Sequence, residues 1–325
     1  MRSLLGKLRR TVRRTVRRTV RRAAGGTGHD GNTDAWAQYV HEACTEVHTS
    51  SLNIAWMTRH GVPNSAFRYE DMLEFWYSKL IPLYDGMVYD IGAHRGRHTR
   101  VFSALGRQVV AFEPNAIIRE ILVANAMAWP SVAAGSSVEV RAEALCNSTG
   151  SGTFTVNTHA PEESGIKRRN YNDEAHAEVI EIPVTFAKLD DLHNTDTAIS
   201  FIKIDTEGGE VDIIKGAQAT LATKRPVVSV EYGYPSYSSY GHSRSTLLDL
   251  VEPLGYVAYD IFGFRVDPME WESVVDAFAW DFILIPREHN HLHGAMLTGR
   301  LALAANIRHF VVGAPAVRPT GFSQR

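Results

Sequence analysis

Short apolar segments alternate with amphipathic stretches along the chain after residue 85, and this alternation is typical of β-α-β units. Seven apolar segments predict strands, at 87–91, 108–112, 138–141, 200–205, 227–232, 257–261 and 280–285. Amphipathic periodicity predicts helices between them, at 97–105, 115–127, 210–223 and 244–254. Two further strands, at 152–157 and 179–184, flank a polar loop at 158–177. The sequence therefore predicts an α/β domain built on a parallel sheet.

The regions outside this alternation have a different pattern. Residues 34–80 are predicted to be helical, because apolar side chains such as Trp36, Tyr39 and Val40 recur at helical spacing. A last helix or helix–strand piece is predicted at 301–312. We expect four parts: a basic arm and linker at 1–33, a helical lead-in at 34–84, the sheet domain at 85–290 and a C-terminal extension at 291–325.

The composition of the 325-residue chain is that of a globular protein, with 44% apolar and 22% charged residues. These values exclude wholesale disorder and fibrous repeats. The two cysteines, Cys44 and Cys146, cannot form a disulfide scaffold, so a reducing cytoplasm is expected.

Positive charge is concentrated in residues 1–22, which contain nine arginines, one lysine and no acidic residue. This arm carries +10 and the other 303 residues carry −12, although the whole chain has a net charge of −2. Thr-Val-Arg-Arg occurs three times in the arm, and apolar residues at every fourth position would form a stripe along a helix.

Three interpretations of the arm remain open: a helix lying on an anionic membrane surface, a nucleic-acid tail, or a solvated leader without a role. The acidic body argues against nucleic acid. No apolar run of about 7–15 residues follows the arm as in a signal peptide, and none approaches the roughly 18 residues of a membrane span. We therefore expect a cytoplasmic protein with a peripheral contact at the inner face of the membrane.

A glycine turn, Gly92-Ala93-His94-Arg95-Gly96, follows the first predicted strand of the sheet and precedes a helix. The two glycines allow a ligand to approach the backbone, and the helix start offers unpaired N–H groups. Glu113 follows the next strand about 20 residues on, where an acid can accept two ribose hydroxyls. These features predict a nucleoside site.

The spacing of the glycines and one acidic residue narrow the choice of nucleoside. A dinucleotide fingerprint reads Gly-x-Gly-x-x-Gly, whereas Gly92 and Gly96 are spaced Gly-x-x-x-Gly. Asp90, at the end of the first strand, would repel a pyrophosphate and would suit a cation such as the sulfonium of S-adenosylmethionine, either directly or through water.

A second acidic turn follows the strand predicted at 200–205, in the string Lys-Ile-Asp-Thr-Glu-Gly-Gly-Glu from Lys203 to Glu210. Ligands bind at the carboxyl ends of strands in doubly wound sheets, so we expect Asp205 to lie in the same crevice as Glu113. Glu210 has two open interpretations, a capping residue of the next helix or a functional group.

The strings DIGAHRGRHT, VVAFEPN, AEALCN, FIKIDTEGGEVDIIKGA and VVSVEY, in this order over roughly 85–262, resemble the FkbM family of S-adenosylmethionine-dependent methyltransferases. The resemblance implies a Rossmann-like class I methyltransferase fold. That fold has a mostly parallel seven-stranded sheet, helices on both faces and an antiparallel last strand, here at 280–285. The resemblance also implies S-adenosylmethionine as the cofactor and O-methylation of a sugar, glycolipid or secondary metabolite. His94 stands where the family usually has Asn, so it either preserves a hydrogen bond or places an imidazole beside the cofactor.

The candidate cofactor contacts share the strand tips and the glycine turn. From the residues they are Asp90, Gly92, Ala93, Gly96, Glu113 and Pro114, and the resemblance adds adenine contacts at Glu143, Ala144 and Leu145. Ser164 and Gly165 are candidate lid residues within the polar loop. The acceptor is expected to contact the loops at 158–177 and 232–244, although the tyrosines of the second loop could equally pack it down.

Asp205 is the candidate base for the hydroxyl proton, with Glu231, His94 and His242 as rivals. No metal is expected, although Mg²⁺ would suit Asp205 and Glu231 if they converge. Two alternatives remain. The first is a nicotinamide-dependent reductase, but the turn lacks the third glycine of a dinucleotide site. The second is a non-catalytic membrane-docking protein, which would dock through the arm and for which the altered turn at His94 is the hint of lost activity.

Overall fold

A computed structural model describes residues 29–129, 136–171, 173–278 and 280–312, including one seven-stranded and one three-stranded sheet. The strands, in chain order, are β1 (Met87–Ile91), β2 (Gln108–Phe112), β3 (Ser137–Arg141), β4 (Ala144–Leu145), β5 (Gly150–Asn157), β6 (Val179–Ala187), β7 (Ile199–Ile204), β8 (Val227–Glu231), β9 (Tyr256–Asp260) and β10 (Asp281–Pro286). The large sheet has the order β3-β2-β1-β7-β8-β10-β9, and the small sheet has the order β4-β6-β5.

Helices precede, connect and follow these strands. In chain order they are α1 (His29–Glu46), α2 (Ser50–Arg59), α3 (Tyr69–Leu80), α4 (Arg97–Ala104), α5 (Ala116–Ala128), α6 (Glu210–Lys215), α7 (Gln218–Lys224), α8 (Ser236–Ser239), α9 (Thr246–Val251), α10 (Trp271–Val274) and α11 (Asn290–Ala305). Within the described ranges, no helix combines the length and the apolar character needed to cross a membrane.

Strand β7 is the centre of the large sheet, and all six of its side chains are buried. It pairs in parallel with β1 on one side and β8 on the other. A parallel strand covered by helices on both faces reads as a continuous apolar run, which is why the sequence pattern identifies it.

The structure confirms the Rossmann-like class I methyltransferase fold. The seven strands predicted for the sheet all form, with ends that shift by at most a residue or so. The last strand, β10, runs antiparallel to β8 and β9, as the family resemblance implies. The two extra strands predicted around the polar loop are β5 and β6, an antiparallel pair.

One predicted helix, at 210–223, is two helices in the structure, because the chain turns at Gly216. A Cβ atom at Gly216 would lie 2.1 Å from the carbonyl oxygen of Cys146, which follows β4. The helix is therefore divided at the point where the backbone of Cys146 approaches it closely. The helix predicted at 244–254 is also shorter, at Thr246–Val251.

The predicted start of the last helix, in the C-terminal region, was wrong. The last long helix, α11, begins at Asn290 rather than at 301, and includes His293, whose Nδ1 lies 2.7 Å from the hydroxyl of Tyr259. The helix packs on the lead-in, since a Cβ atom at Gly299 would lie 2.4 Å from the ring of Trp76. The three lead-in helices are α1, α2 and α3. The basic arm lies outside the described residues, and the limits of the four predicted parts remain predictions.

Candidate active site

The strand order creates a crevice at the carboxyl ends of β1 and β7. Strand β1 leads to β2 on one side of the sheet, whereas β7 leads to β8 on the other side. In open α/β sheets, ligands bind where the strand order reverses in this way. Glu113 follows β2, Asp205 follows β7 and Glu231 ends β8, so the predicted acids lie at the same end of neighbouring strands.

The glycine turn after β1 touches the end of β7. Gly92 has φ of +82°, and a Cβ atom there would lie only 1.8 Å from the carbonyl oxygen of Asp205. The amide of Asp205 donates to the carbonyl oxygen of Ile91 at 3.0 Å. Gly96, with φ of +88°, leaves room for Leu122. Both glycines are therefore required by backbone conformation and by close packing.

Glu113 supports the glycine turn from the next strand. Its Oε2 accepts a hydrogen bond from the amide of His94 at 2.9 Å, and its Oε1 accepts one from the amide of Asn115 at 2.8 Å. The residue is only 6% exposed, and burial raises its pKa to about 7. Each carboxylate oxygen accepts more than one hydrogen bond, so two ribose hydroxyls can still donate to Glu113.

Asp90 lies beneath the surface of the crevice. Its side chain is fully buried, and its Oδ2 accepts a hydrogen bond from the hydroxyl of Thr99 on α4 at 2.5 Å. Its Oδ1 has no hydrogen-bond partner among the described residues. In this structure α4 covers the carboxylate, so Asp90 offers no surface for the direct ligand contact that the sequence predicts.

Five of the predicted cofactor contacts line one cavity. They are Gly92, Pro114, Glu143, Ala144 and Leu145. Ala144 and Leu145 are the apolar members, as an adenine ring would require. Glu143 pairs with Arg141, and its hydrogen bond to that guanidinium lowers the pKa of the carboxyl. Ala93 lies beside this cavity in a small core with Ala111 and Leu122.

His94 combines an unusual backbone with a neutral imidazole. Its φ is +49°, a conformation that Asn adopts more readily than His, and its amide is used by Glu113. Its Nε2 is buried and has no hydrogen-bond partner among the described residues. Burial lowers the pKa of His94, so the ring is neutral at pH 7 and could accept a proton.

Asp205 and Glu231 converge, as their places at the ends of β7 and β8 predict. The two side chains share a hydrogen bond, and the Nζ of Lys203 donates to Asp205 Oδ2 at 2.9 Å. Burial favours the neutral form of Asp205, but Lys203 and Glu231 outweigh it and hold the pKa of that carboxyl below its usual range. Burial and the charge of Asp205 raise the pKa of Glu231. The surroundings therefore favour an ionised Asp205 beside a protonated Glu231.

Glu207 completes a group of three carboxylates. Asp205, Glu207 and Glu231 each have an oxygen within 4.8 Å of the others, a spacing that could hold a metal ion. Arg169, from the polar loop, forms an ion pair with Glu207 and donates to the hydroxyl of Ser236 at 3.3 Å. Two of the three carboxylates are thus already paired with buried cations, which weakens the group as a metal site.

The remaining candidates have structural partners. Oε1 of Glu210 accepts from the amides of Thr206 and Gly208, both at 3.0 Å, so this carboxylate holds the turn that precedes α6 and does not cap the helix's own amides. His242 lies 3.8 Å from Asp212 on α6. Ser164 accepts from the amide of Asn157 at 3.1 Å and thereby shapes the polar loop.

Two residues of the site were missed by the sequence analysis: Lys203 and Arg169. The signal for Lys203 was a lysine inside an apolar strand, two residues before an acid and therefore on the same face. Arg169 belongs to the polar loop, and no spacing along the chain connects it with the crevice.

The comparisons with known proteins agree with this geometry. Residues 90–258, more than half of the chain, match the model of the methyltransferase FkbM domain. Among solved structures, the chain is similar to the methyltransferase FkbM from Methylobacillus flagellatus KT, with 14% identity and a TM-score of 0.42. That alignment covers 78% of this chain and 59% of the other, so the chain spans under two thirds of that structure.

The CcbJ methyltransferase from Streptomyces caelestis is another similar structure, with 11% identity, 66% of this chain and 94% of the other covered, and a TM-score of 0.36. No curated protein matches the chain in sequence. The family model spans the glycine turn, Glu113, Asp205 and Glu231. The chain therefore belongs to the FkbM family of S-adenosylmethionine-dependent methyltransferases.

Proposed function

We propose that the protein transfers a methyl group from S-adenosylmethionine to a hydroxyl of a sugar, a glycolipid or a secondary metabolite. The arrangement of Glu113, Asp205 and Glu231 at the carboxyl ends of β2, β7 and β8 supports this most directly. It combines an acceptor of ribose hydroxyls with an ionised carboxylate that can take up the proton of the methylated hydroxyl.

The crevice fits the cofactor in chemistry. Glu113 has free lone pairs for the ribose, and Ala144 and Leu145 offer an apolar surface to the adenine. The buried Nε2 of His94 is an unused polar atom beside the turn. When bound, S-adenosylmethionine supplies an electrophilic methyl group on a positively charged sulfur. The excess of carboxylates over cations around the crevice favours binding of this positive charge.

Asp205 is the base that best meets the needs of O-methylation. Its side chain is 34% exposed, so a hydroxyl can reach it, and Lys203 keeps it ionised. A hydroxyl that gains a methyl group becomes a far stronger acid than a carboxylic acid. Asp205 therefore needs only to be ionised and well placed, and its low pKa is no obstacle to accepting that proton.

The proposal extends to where the acceptor is found. The +10 arm favours a peripheral contact with anionic lipid at the inner face of the membrane, which would bring a cytoplasmic enzyme to a lipid-linked acceptor. A glycolipid is therefore the acceptor class that best combines the arm with hydroxyl chemistry.

Calorimetry on the full chain tests the cofactor. We expect S-adenosylmethionine to bind and NAD not to bind, and binding of NAD alone would contradict the proposal. Methyl transfer is then tested with radiolabelled cofactor and a panel of sugars, glycolipids and polyketides. Alkali-stable label on an oxygen of the product is expected, and label on nitrogen or carbon would contradict O-methylation.

A further inference from the structure

Lys203 is a buried cation in the middle of the sheet. Its side chain is 4% exposed, and it lies on β7 between Asp90 of β1 and Ser229 of β8 in the strand register. Residues in register on parallel strands point to the same face, so these three side chains form one polar row across the sheet. A buried ammonium is costly unless it is paired, so this lysine requires an explanation.

The partner of Lys203 is the candidate base. Its Nζ donates to Oδ2 of Asp205 at 2.9 Å, and the carboxyl of Glu231 bonds to Asp205 from the next strand. One carboxylate is thus held from two sides by neighbouring strands of the sheet. Its remaining surface, about a third of the side chain, faces outward.

We propose that Lys203 is a positioning residue for methyl transfer, which fixes Oδ2 of Asp205 so that the other oxygen meets the acceptor hydroxyl. This inference rests on the proposed function. In the step concerned, the O–H bond of the hydroxyl breaks, its electron pair stays on oxygen and its proton passes to Asp205. Lys203 itself neither touches the acceptor nor exchanges its proton.

The electrostatics of the surrounding groups agree with this role. Burial disfavours the charged form of Lys203, but Asp205 and Asp90 outweigh it and raise its pKa above the ordinary value. The ammonium therefore stays charged at every working pH. Other titratable groups interact with Lys203 or Asp205 from the surrounding elements: Tyr77 and Glu70 on α3, His94 in the glycine turn, His98 on α4, Glu210 on α6, Glu231 on β8 and Asp281 on β10.

The first test counts protonated carboxyls by infrared spectroscopy at pH 7. Lys203→Met should gain one protonated carboxyl relative to wild type, and Asp205→Asn in the same background should remove the gain. Lys203→Arg should show no gain. Lys215→Met is the matched control, because Lys215 pairs with Asp212 on the surface of α6 at 3.5 Å. The absence of any gain in Lys203→Met would overturn the inference.

A second measurement needs no variant of Lys203, in case that variant does not fold. In the otherwise wild-type chain at pH 5, Asp205→Asn should leave the protonated-carboxyl band unchanged, whereas Glu231→Gln should reduce it. Because removal of the Asp205 charge also lowers the pKa of Glu231, the comparison is repeated in the Glu231→Gln background. A reduction by Asp205→Asn in that background would show that Lys203 does not keep Asp205 ionised, and would also overturn the inference.

The third test is kinetic and uses a hydroxyl acceptor that wild type methylates. Lys203→Met should shift the acidic limb of the kcat profile upward by at least about one pH unit and lower kcat at pH 7 about tenfold or more. KM for S-adenosylmethionine should stay within about twofold. An unchanged profile would overturn the positioning role. If wild type methylates no hydroxyl, the proposed function fails, while the infrared result still reports whether Lys203 controls Asp205.

Discussion

The hydroxyl of Tyr240 accepts a hydrogen bond from the amide of Lys167 at 3.0 Å, which joins the two loops that border the cavity lined by Ala144 and Leu145. The Tyr240 ring also packs on Gly208, where a Cβ atom would lie 2.5 Å away. Arg169 makes a second link between the same loops and the β7 turn. The polar loop and the loop after β8 therefore close over the crevice together.

The first prediction concerns this closure. Tyr240→Phe removes one hydrogen bond and keeps the ring, so stability should change by about 1 kcal/mol or less. Binding and release of S-adenosylmethionine should both become several-fold faster in stopped-flow measurements, because the loops separate more readily. Tyr234→Phe is the control, since Tyr234 is 59% exposed. Unchanged rates in Tyr240→Phe would show that the contact does not limit access.

The second prediction is a pH dependence of cofactor affinity. Burial raises the pKa of Glu113 to about 7, and only the ionised carboxyl accepts from both ribose hydroxyls. The dissociation constant measured by calorimetry should be constant above about pH 8 and rise by up to about tenfold per pH unit below 7. Glu113→Gln should bind more weakly and lose this dependence. A wild-type affinity that is flat from pH 5 to 9 would contradict the assignment.

The same carboxyl should affect folding with the opposite sign. Its folded pKa lies above the ordinary 4.5, so the native state binds more protons than the unfolded state between these values. The stabilising contribution of the protonated form is complete below about pH 4.5 and is lost as the pH rises through about 7. Urea titrations without cofactor should show the free energy of unfolding of wild type falling across this window relative to Glu113→Gln.

The third prediction separates the two acids of the proposed base. Asp205→Asn should lower kcat about 100-fold or more, because it removes the ionised oxygen. Glu231→Gln should retain most activity, because the raised pKa of Glu231 favours its protonated form and a glutamine amide can donate the same hydrogen bond to Asp205. Cofactor binding by calorimetry controls for misfolding. A larger loss in Glu231→Gln than in Asp205→Asn would assign the base to Glu231 instead.

The fourth prediction concerns metal dependence. Lys203 and Arg169 already pair with two of the three carboxylates that could hold an ion. Methyl transfer should therefore be unaffected by EDTA and unchanged by added Mg²⁺. Loss of activity in EDTA that Mg²⁺ restores would show that an ion displaces these cations.

The fifth prediction concerns the basic arm, which lies outside the described residues. The full chain should float with vesicles that contain anionic lipid, whereas a chain that starts at Gly25 should float less, and salt should reduce the difference. Neutral vesicles are the control. Equal flotation of both chains would remove the arm from any membrane contact.

Apart from the edge strand β3, in which apolar and polar residues alternate, the strands of the large sheet could be predicted because each is an apolar run bounded by turns. Burial on both faces makes that pattern continuous. The start of helix α11 could not be predicted, because His291, His293 and Gly294 interrupt its apolar positions. The helix is buried by contacts with α1 and α3, which are distant in the sequence. The periodicity of apolar residues shows only which face of a single helix is apolar. The contacts between these distant helices depend instead on the order of the strands in the sheet.

The site shows the same division. Glu113 and Asp205 could be predicted, because strand tips meet at one edge of a parallel sheet. Two other features could not be predicted, because each depends on side-chain packing between separate elements. They are the burial of Asp90 under Thr99 and the ion pair of Arg169 with Glu207. The interaction between Asp205 and Glu231 could be predicted only from the order of β7 and β8 in the sheet. The sequence suggested that order only through the family resemblance.

The contact of Gly92 with the carbonyl of Asp205 has a consequence for protein engineering. A Cβ atom at Gly92 would lie 1.8 Å from that oxygen, so any side chain there must displace the turn that carries Asp205, the proposed base. Under the proposed function, cofactor binding and proton acceptance therefore depend on the two turns together. Grafting either turn alone into a related scaffold should fail, and exchanging both together should preserve their mutual alignment.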